Sequence, residues 1–193
     1  MTRTLALLFT LQAVTAHAVR PMGDRPVILL LGDSNIFGPL GKVLQEQLED
    51  AGFFVKRKAK PGSGLAFPRF HDWLAKAPSL ADRYHADVVV IMFGGNDGQS
   101  LKPAGPDSPP IRIPWEAESE WSEEYSRRIR RLATSLTRRG RQLVVLSPTN
   151  RRSPKAVSRM QRIVQLQRAA LSMPGATWID TWSLSSNRER AWL

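Results

Sequence analysis

The 193-residue chain has no cysteine and only three histidines. Beyond its first eighteen residues it has no long uninterrupted apolar run. Without cysteine there are no disulfides, and the fold must be held by its hydrophobic core. No His, Cys or carboxylate cluster has metal-ligand spacing, so no metal is expected. The absence of a Gly-rich phosphate-binding fingerprint argues against a nucleotide cofactor. Spanning a bilayer takes about 20 apolar residues, and no segment supplies them, so the mature chain is expected to be soluble. Acidic side chains are few beside basic ones: 17 Asp and Glu against 28 Lys and Arg give a formal net charge of +11.

At the N-terminus, Arg3 precedes an apolar run from Leu5 to Val14, and Ala16 and Ala18 flank His17. This is the pattern of a secretory signal with an A-x-A cleavage site, predicted to be cut after Ala18. Residues 19–193 then form one domain, expected in a bacterial periplasm or secreted. The basic residues are spread through Lys56 to Lys60, Arg127 to Arg131, Arg138 to Arg141 and Arg151 to Arg168. They read as solvated helix faces, with an anionic envelope polymer or membrane surface as the next partner to consider. Nucleic acid is disfavoured by export, and nothing indicates an oligomeric partner.

Apolar runs alternate with helical patterns after residue 26, the signature of βαβ units and a parallel sheet. Val27 to Leu31 is a strand buried on both faces, followed by a helix from Pro39 with Leu40, Leu44 and Leu48 at intervals of four, closed by Gly52. Phe53 to Ala59 is predicted as a lysine-rich edge strand, Lys60 to Pro68 as a loop, and Phe70 to Ala77 as a short helix. Asp87 to Phe93 is the strongest strand. Five prolines make Gln99 to Pro114 irregular. A long helix from Glu116 to Arg139 turns Trp121, Tyr125, Ile129, Leu132 and Leu136 inward. Gln142 to Ser147 is a fourth strand. The next helix, with Ser153 as N-cap and Pro154 at its first position, carries Val157, Met160, Val164 and Leu171 inward. Ala176 to Asp180 is the fifth strand.

Ligands of open parallel sheets collect at the carboxyl ends of the strands. Gly32-Asp33-Ser34-Asn35 follows the first strand, Gly62-Ser63-Gly64 the second and Gly94-Gly95-Asn96-Asp97 the third. A serine at a strand-to-helix turn can present a nucleophilic hydroxyl beside an oxyanion site, and a glycine loop and an asparagine amide can supply further donors. With these motifs the chain resembles the SGNH (GDSL-like) serine esterases across most of its mature length. The resemblance implies an α/β, flavodoxin-like fold, a three-layer sandwich around a five-stranded parallel sheet. It implies Ser34 as nucleophile of an acyl-enzyme mechanism, Asn96 as an oxyanion donor and Gly64 as the backbone donor, with Gly62 as the alternative. The implied substrates are ester-bearing small molecules, acetylated glycans or lipid esters.

Family members carry a catalytic histidine, with an acid three positions before it, in a loop after the last strand. Here Asp180-Thr181-Trp182-Ser183 follows the fifth strand and no histidine follows His85. A serine hydroxyl without a base is a poor nucleophile at neutral pH. His85 precedes the third strand and lies at the wrong end of the sheet, so His71, after the glycine loop, is the weak candidate for a base. Asp33 and Asp97 read as turn or cap residues beside their strands, and Asp180 as a cap or as a former partner of a downstream histidine. Trp115, Trp121 and Trp182 could line a sugar cleft or serve packing. The missing base opens two rival expectations: an esterase fold reduced to binding an envelope polysaccharide, or a chain that lacks the tail carrying the histidine.

Overall fold

A computed structural model of the chain describes residues 25–104, 110, 112–150 and 153–185. The expected secretory signal lies outside the described residues. Strands β1 (Val27–Gly32), β2 (Phe54–Ala59), β3 (Val88–Met92), β4 (Gln142–Leu146) and β5 (Ala176–Ile179) form one parallel sheet in the order β2-β1-β3-β4-β5. This is the flavodoxin-like order, with its switch point between β1 and β3.

Alternation along the strands divides the core in two. Leu29 and Leu31 of β1, with Val89 and Ile91 of β3, face α3 (Trp73–Arg83), α4 (Glu118–Leu136) and α5 (Pro154–Ala170). Ile28, Leu30, Val90 and Met92 face the other way, toward the four-residue α1 (Ser34–Phe37) and α2 (Pro39–Asp50). Leu29, Leu30 and Leu31 are wholly buried, each contributing roughly 1.5–3 kcal/mol. That explains why β1 reads as a continuous apolar run. The architecture is the three-layer α/β sandwich expected.

Several local expectations shift. The helix expected from Phe70 to Ala77 begins at Trp73, where the Asp72 carboxylate accepts the Ala75 N–H at 3.1 Å, and continues through Pro78 to Arg83. Proline removes one helical hydrogen bond, but Trp73, Ala77 and Ala81 at intervals of four bury one face and carry the helix past it. In α5 the buried stripe is Met160, Ile163, Gln167 and Ala170, with Val157 and Val164 half-buried and Leu171 buried just beyond. Polar Gln167 faces inward because its amide donates to the Phe93 carbonyl and the Tyr125 hydroxyl, at 2.9 and 3.1 Å. Pro154 opens α5 as expected, whereas the Ser153 side chain makes no cap bond. A further short helix, α6 (Thr181–Leu184), follows β5.

The arginines do not all lie on solvated faces. Arg128 is 1% exposed within α4. Arg141 is also buried, donating to the Leu136 and Ser135 carbonyls at the end of α4 and to Asp82, whose carboxyl it holds below the ordinary value by direct hydrogen bonding. Charged residues are buried only when paired, and these are.

Candidate active site

The carboxyl ends of β1, β2 and β3 bring Ser34, Gly64 and Asn96 to one end of the sheet. Asp33 follows β1 and is wholly buried. Its carboxylate accepts the Asn35 N–H at 2.9 Å and the Asn35 amide at 3.1 Å, starting α1 abruptly at Ser34. Asp33 thus bonds a backbone group of its own turn, as the sequence suggests, and in doing so caps α1. Ser34 is exposed. As the first residue of a helix its N–H has no intrahelical acceptor, and its hydroxyl has no hydrogen-bond partner among the described residues.

The second loop is pinned at Ser63, Leu65 and Ala66. Ser63 accepts at its carbonyl from the Asn96 amide (2.9 Å) and at its hydroxyl from the Trp73 indole (2.7 Å), and it donates through Oγ to the Lys60 carbonyl (2.6 Å). The Leu65 carbonyl accepts from Arg128 (2.7 Å). Ala66 donates its N–H to Asp97 (2.9 Å) and accepts from the Lys102 N–H (2.9 Å). The Gly64 N–H between these points has no partner among the described residues. A side chain here is excluded by close approach: a Cβ on Gly64 would lie 2.1 Å from Asp97 Oδ1.

Asp97 was expected to cap the segment after β3. Instead, its wholly buried carboxylate crosses to the glycine loop and also accepts the Tyr125 hydroxyl at 2.9 Å. Burial pushes this carboxyl above its ordinary value, against the pull of the Ala66 and Leu65 N–H groups, the Tyr125 hydroxyl and Arg128. Tyr125 is itself raised well above its usual value, by burial and then by the neighbouring Asp97 charge. Gly94, at φ +123°, lets β3 turn toward Asn96, and a Cβ there would strike Pro148 at 2.7 Å.

Asn96 uses one amide proton on the Ser63 carbonyl. Its other contact, to Asp33 Oδ2, is a long 3.4 Å. An amide nitrogen carries two protons, so one is weakly held beside the Ser34 turn. Asn96 borders a cleft of about 470 Å³ with Gln99, Lys155 and Arg159 on its walls.

The histidines lie elsewhere. His71 packs edge-on against Trp73, with ring centroids 4.4 Å apart, in a separate cleft with Lys58 and Lys76 that neither Ser34 nor Asn96 lines. Burial and then the Lys76 and Lys60 charges lower its basicity, opposed by Asp72. His85 sits at φ +50° between α3 and β3, at the opposite end of the sheet. Asp180 caps α6, accepting from the Ser183 N–H (3.0 Å) and hydroxyl (2.7 Å). Burial would raise its carboxyl, but those bonds and the Arg168 charge hold it below the ordinary value. Trp121 is a core residue, wholly buried, stacked on Tyr125 and bonded to the Gln99 carbonyl. Trp115 and Trp182 are half-buried. Among the described residues no group of three His, Cys, Asp or Glu could hold a metal ion, and no helix is long and apolar enough to cross a membrane.

Arg128 is the positioning residue the sequence reading missed. Its guanidinium joins Glu124 to the Leu65 and Lys102 carbonyls, at 2.7, 2.7 and 2.6 Å. Its place in the stripe Trp121, Tyr125, Arg128, Leu132 was the available signal.

Sheet order and strand-end residues together define an SGNH-hydrolase fold. Solved structures of this kind superpose at low identity. A lipolytic protein of the G-D-S-L family from Desulfitobacterium hafniense DCB-2 aligns at TM-score 0.62 and 11% identity, covering 88% of this chain and 85% of its own. LAE5, an alpha/beta hydrolase enzyme from the metagenome of Lake Arreo, aligns at 0.58 and 15%, covering 82% and 78%. The acetylxylan esterase Axe2 of Geobacillus stearothermophilus aligns at 0.54 and 16%, covering 82% and 77%. No curated protein matches by sequence. Residues 27–192 match the family described as Protein of unknown function (DUF459), and the chain belongs to that family.

Proposed function

We propose that the protein is an exported hydrolase of carboxylic esters, acting on an acetylated glycan or lipid ester in the bacterial envelope. The observation that carries this reading is the Gly64 N–H, without a partner among the described residues in a loop pinned through Ser63, Leu65 and Ala66, at the same sheet end as the exposed Ser34. Preorganised donors of this kind are worth about 10²–10³ in turnover. In the proposed reaction Ser34 Oγ bonds to the ester carbonyl carbon and its proton passes to solvent water. The N–H groups of Ser34 and Gly64 and the Asn96 amide receive the oxyanion. The carbon–oxygen bond to the alcohol then breaks as the departing alkoxide takes that proton back from solvent; water next adds to the acyl carbon, the acyl–Oγ bond breaks, and a proton from the water returns to Ser34 Oγ as the carboxylic acid leaves. Catalytic mutants of Axe2 replace a serine and an aspartate by alanine, consistent with this chemistry on the same fold.

A second reading is favoured by one observation: among the described residues nothing accepts the Ser34 hydroxyl proton. On that reading the cleft binds an ester-bearing glycan and does not turn it over. Hydrolysis of p-nitrophenyl acetate by the purified chain, beside Ser34→Ala, separates the two. Turnover that falls at least about 100-fold in the variant supports the esterase. Equal rates in the two folded proteins support the binding module.

A further inference from the structure

The strongest unassigned feature lies on β2, the edge strand. Alternate residues of a strand share a face. Phe54, Lys56 and Lys58 therefore lie together, and Lys60 follows where its N–H pairs with the Gly32 carbonyl at 3.0 Å, two residues before Ser34. Each ammonium sits over an aromatic ring: Lys56 over Phe54 at 4.6 Å, Lys58 over Tyr84 at 5.6 Å and Lys60 over Phe70 at 5.2 Å. Lys76 and His71 face Lys58 across a cleft of about 420 Å³.

None of these four lysines forms an ion pair among the described residues. The nearby acids are committed: Asp72 caps α3, and Asp82 binds Arg139 and Arg141. Arg57, on the other face of β2, is spent on Gln45 and on the Ile36 and Phe37 carbonyls. Burial first, and then the Lys76 and Lys60 charges, lower the basicity of His71, with Asp72 opposing them. A single-signed row raises the local concentration of anions, and this row leads into the Gly62–Gly64 loop.

We propose that Lys56, Lys58, Lys60 and Lys76 form a track for an acidic polysaccharide, and that the ester presented to Ser34 is an O-acyl group carried by that polymer. This rests on the ester-hydrolase reading of Ser34. The row is linear, as a polymer requires. Phe54 and Phe70 stay half-exposed beside their lysines, and the choice among anionic polymers follows from the ester reading: a polysaccharide can carry an O-acyl group to Ser34.

The test measures binding of Ser34→Ala protein to partially O-acetylated polygalacturonate and to neutral acetylated xylan at low and moderate salt. The same is done with Lys56→Glu and Lys58→Glu introduced together; both lysines are on the edge strand, and thermal melting checks the fold. The track predicts at least about tenfold tighter binding of the acidic polymer, a loss of similar size in the reversed protein, and weakening by salt. Equal binding of the two polymers, or unchanged binding after charge reversal, overturns it. Tighter binding of a single-stranded oligonucleotide or of phosphatidylglycerol vesicles than of polygalacturonate overturns it as well. Hydrolysis of p-nitrophenyl acetate by the otherwise unaltered chain is read separately. Turnover without selective polymer binding overturns the track alone, and selective binding without turnover supports the track and removes the esterase reading.

Discussion

The two ends of the strand order meet the site differently. At β1, β2 and β3, side chains from four elements converge on the loops: Asp33 starts α1, Asn96 and Trp73 hold Ser63, Arg128 holds Leu65, and Asp97 holds Ala66. At β4 and β5 the polar groups close on themselves. Ser147 Oγ accepts the Trp182 N–H at 2.7 Å, Thr181 donates to the Ser147 carbonyl, and Asp180 is occupied by Ser183. One side leaves the Gly64 N–H without a described partner and one Asn96 amide proton weakly held beside Ser34. The other offers no described group that takes the proton from Ser34. Stabilising an oxyanion and generating a nucleophile are separable tasks, and on the esterase reading proposed for Ser34 the contrast falls between them.

The sharpest way to break the contrast is Gly64→Ala. Its Cβ collides with the Asp97 carboxylate, so the loop must move; the expected cost is about 1–3 kcal/mol of stability and about 10²-fold or more in p-nitrophenyl acetate turnover. Chemical denaturation and steady-state rates check the two parts.

Asp97→Asn gives a smaller effect with a distinctive pH signature. A carboxyl raised by burial holds its proton more tightly in the native state than in the unfolded chain. Its contribution to stability is therefore fullest at low pH and declines as pH rises through the raised native value. Asparagine has no such dependence, so the stability difference between wild type and variant should grow on acidification. Denaturation midpoints across the acidic to neutral range would show this, and a difference independent of pH would count against it.

The smallest effect is expected from His71→Ala. His71 lines a different cleft from Ser34 and its basicity is already lowered, so ester turnover should change less than about twofold, since general-base removal costs about 10²–10⁴. A loss of that larger size would place the proton acceptor at His71.

The strands and the order of elements were legible because β1, β3 and β4 are buried on both faces and announce themselves as apolar runs. Helix α4 was legible through its inward spacing. What the pattern hid is polar burial. Gln167 and Arg128 point inward for hydrogen bonds that apolar periodicity does not register, and Asp97 reads locally as a cap while acting 31 residues away on Ala66. The motifs placed Ser34, Gly64 and Asn96 at neighbouring strand ends, but the bonds that pin Ser63, Leu65 and Ala66 around the Gly64 N–H come from side chains distant in sequence.

The most direct measurement is imidazole rescue. If Ser34 faces a prepared oxyanion site without a base of its own, added imidazole should raise p-nitrophenyl acetate hydrolysis by wild-type protein well beyond its effect on Ser34→Ala. An imidazole response identical in the two proteins would contradict the account, whether from a chain that already possesses an efficient base or from one in which Ser34 takes no part.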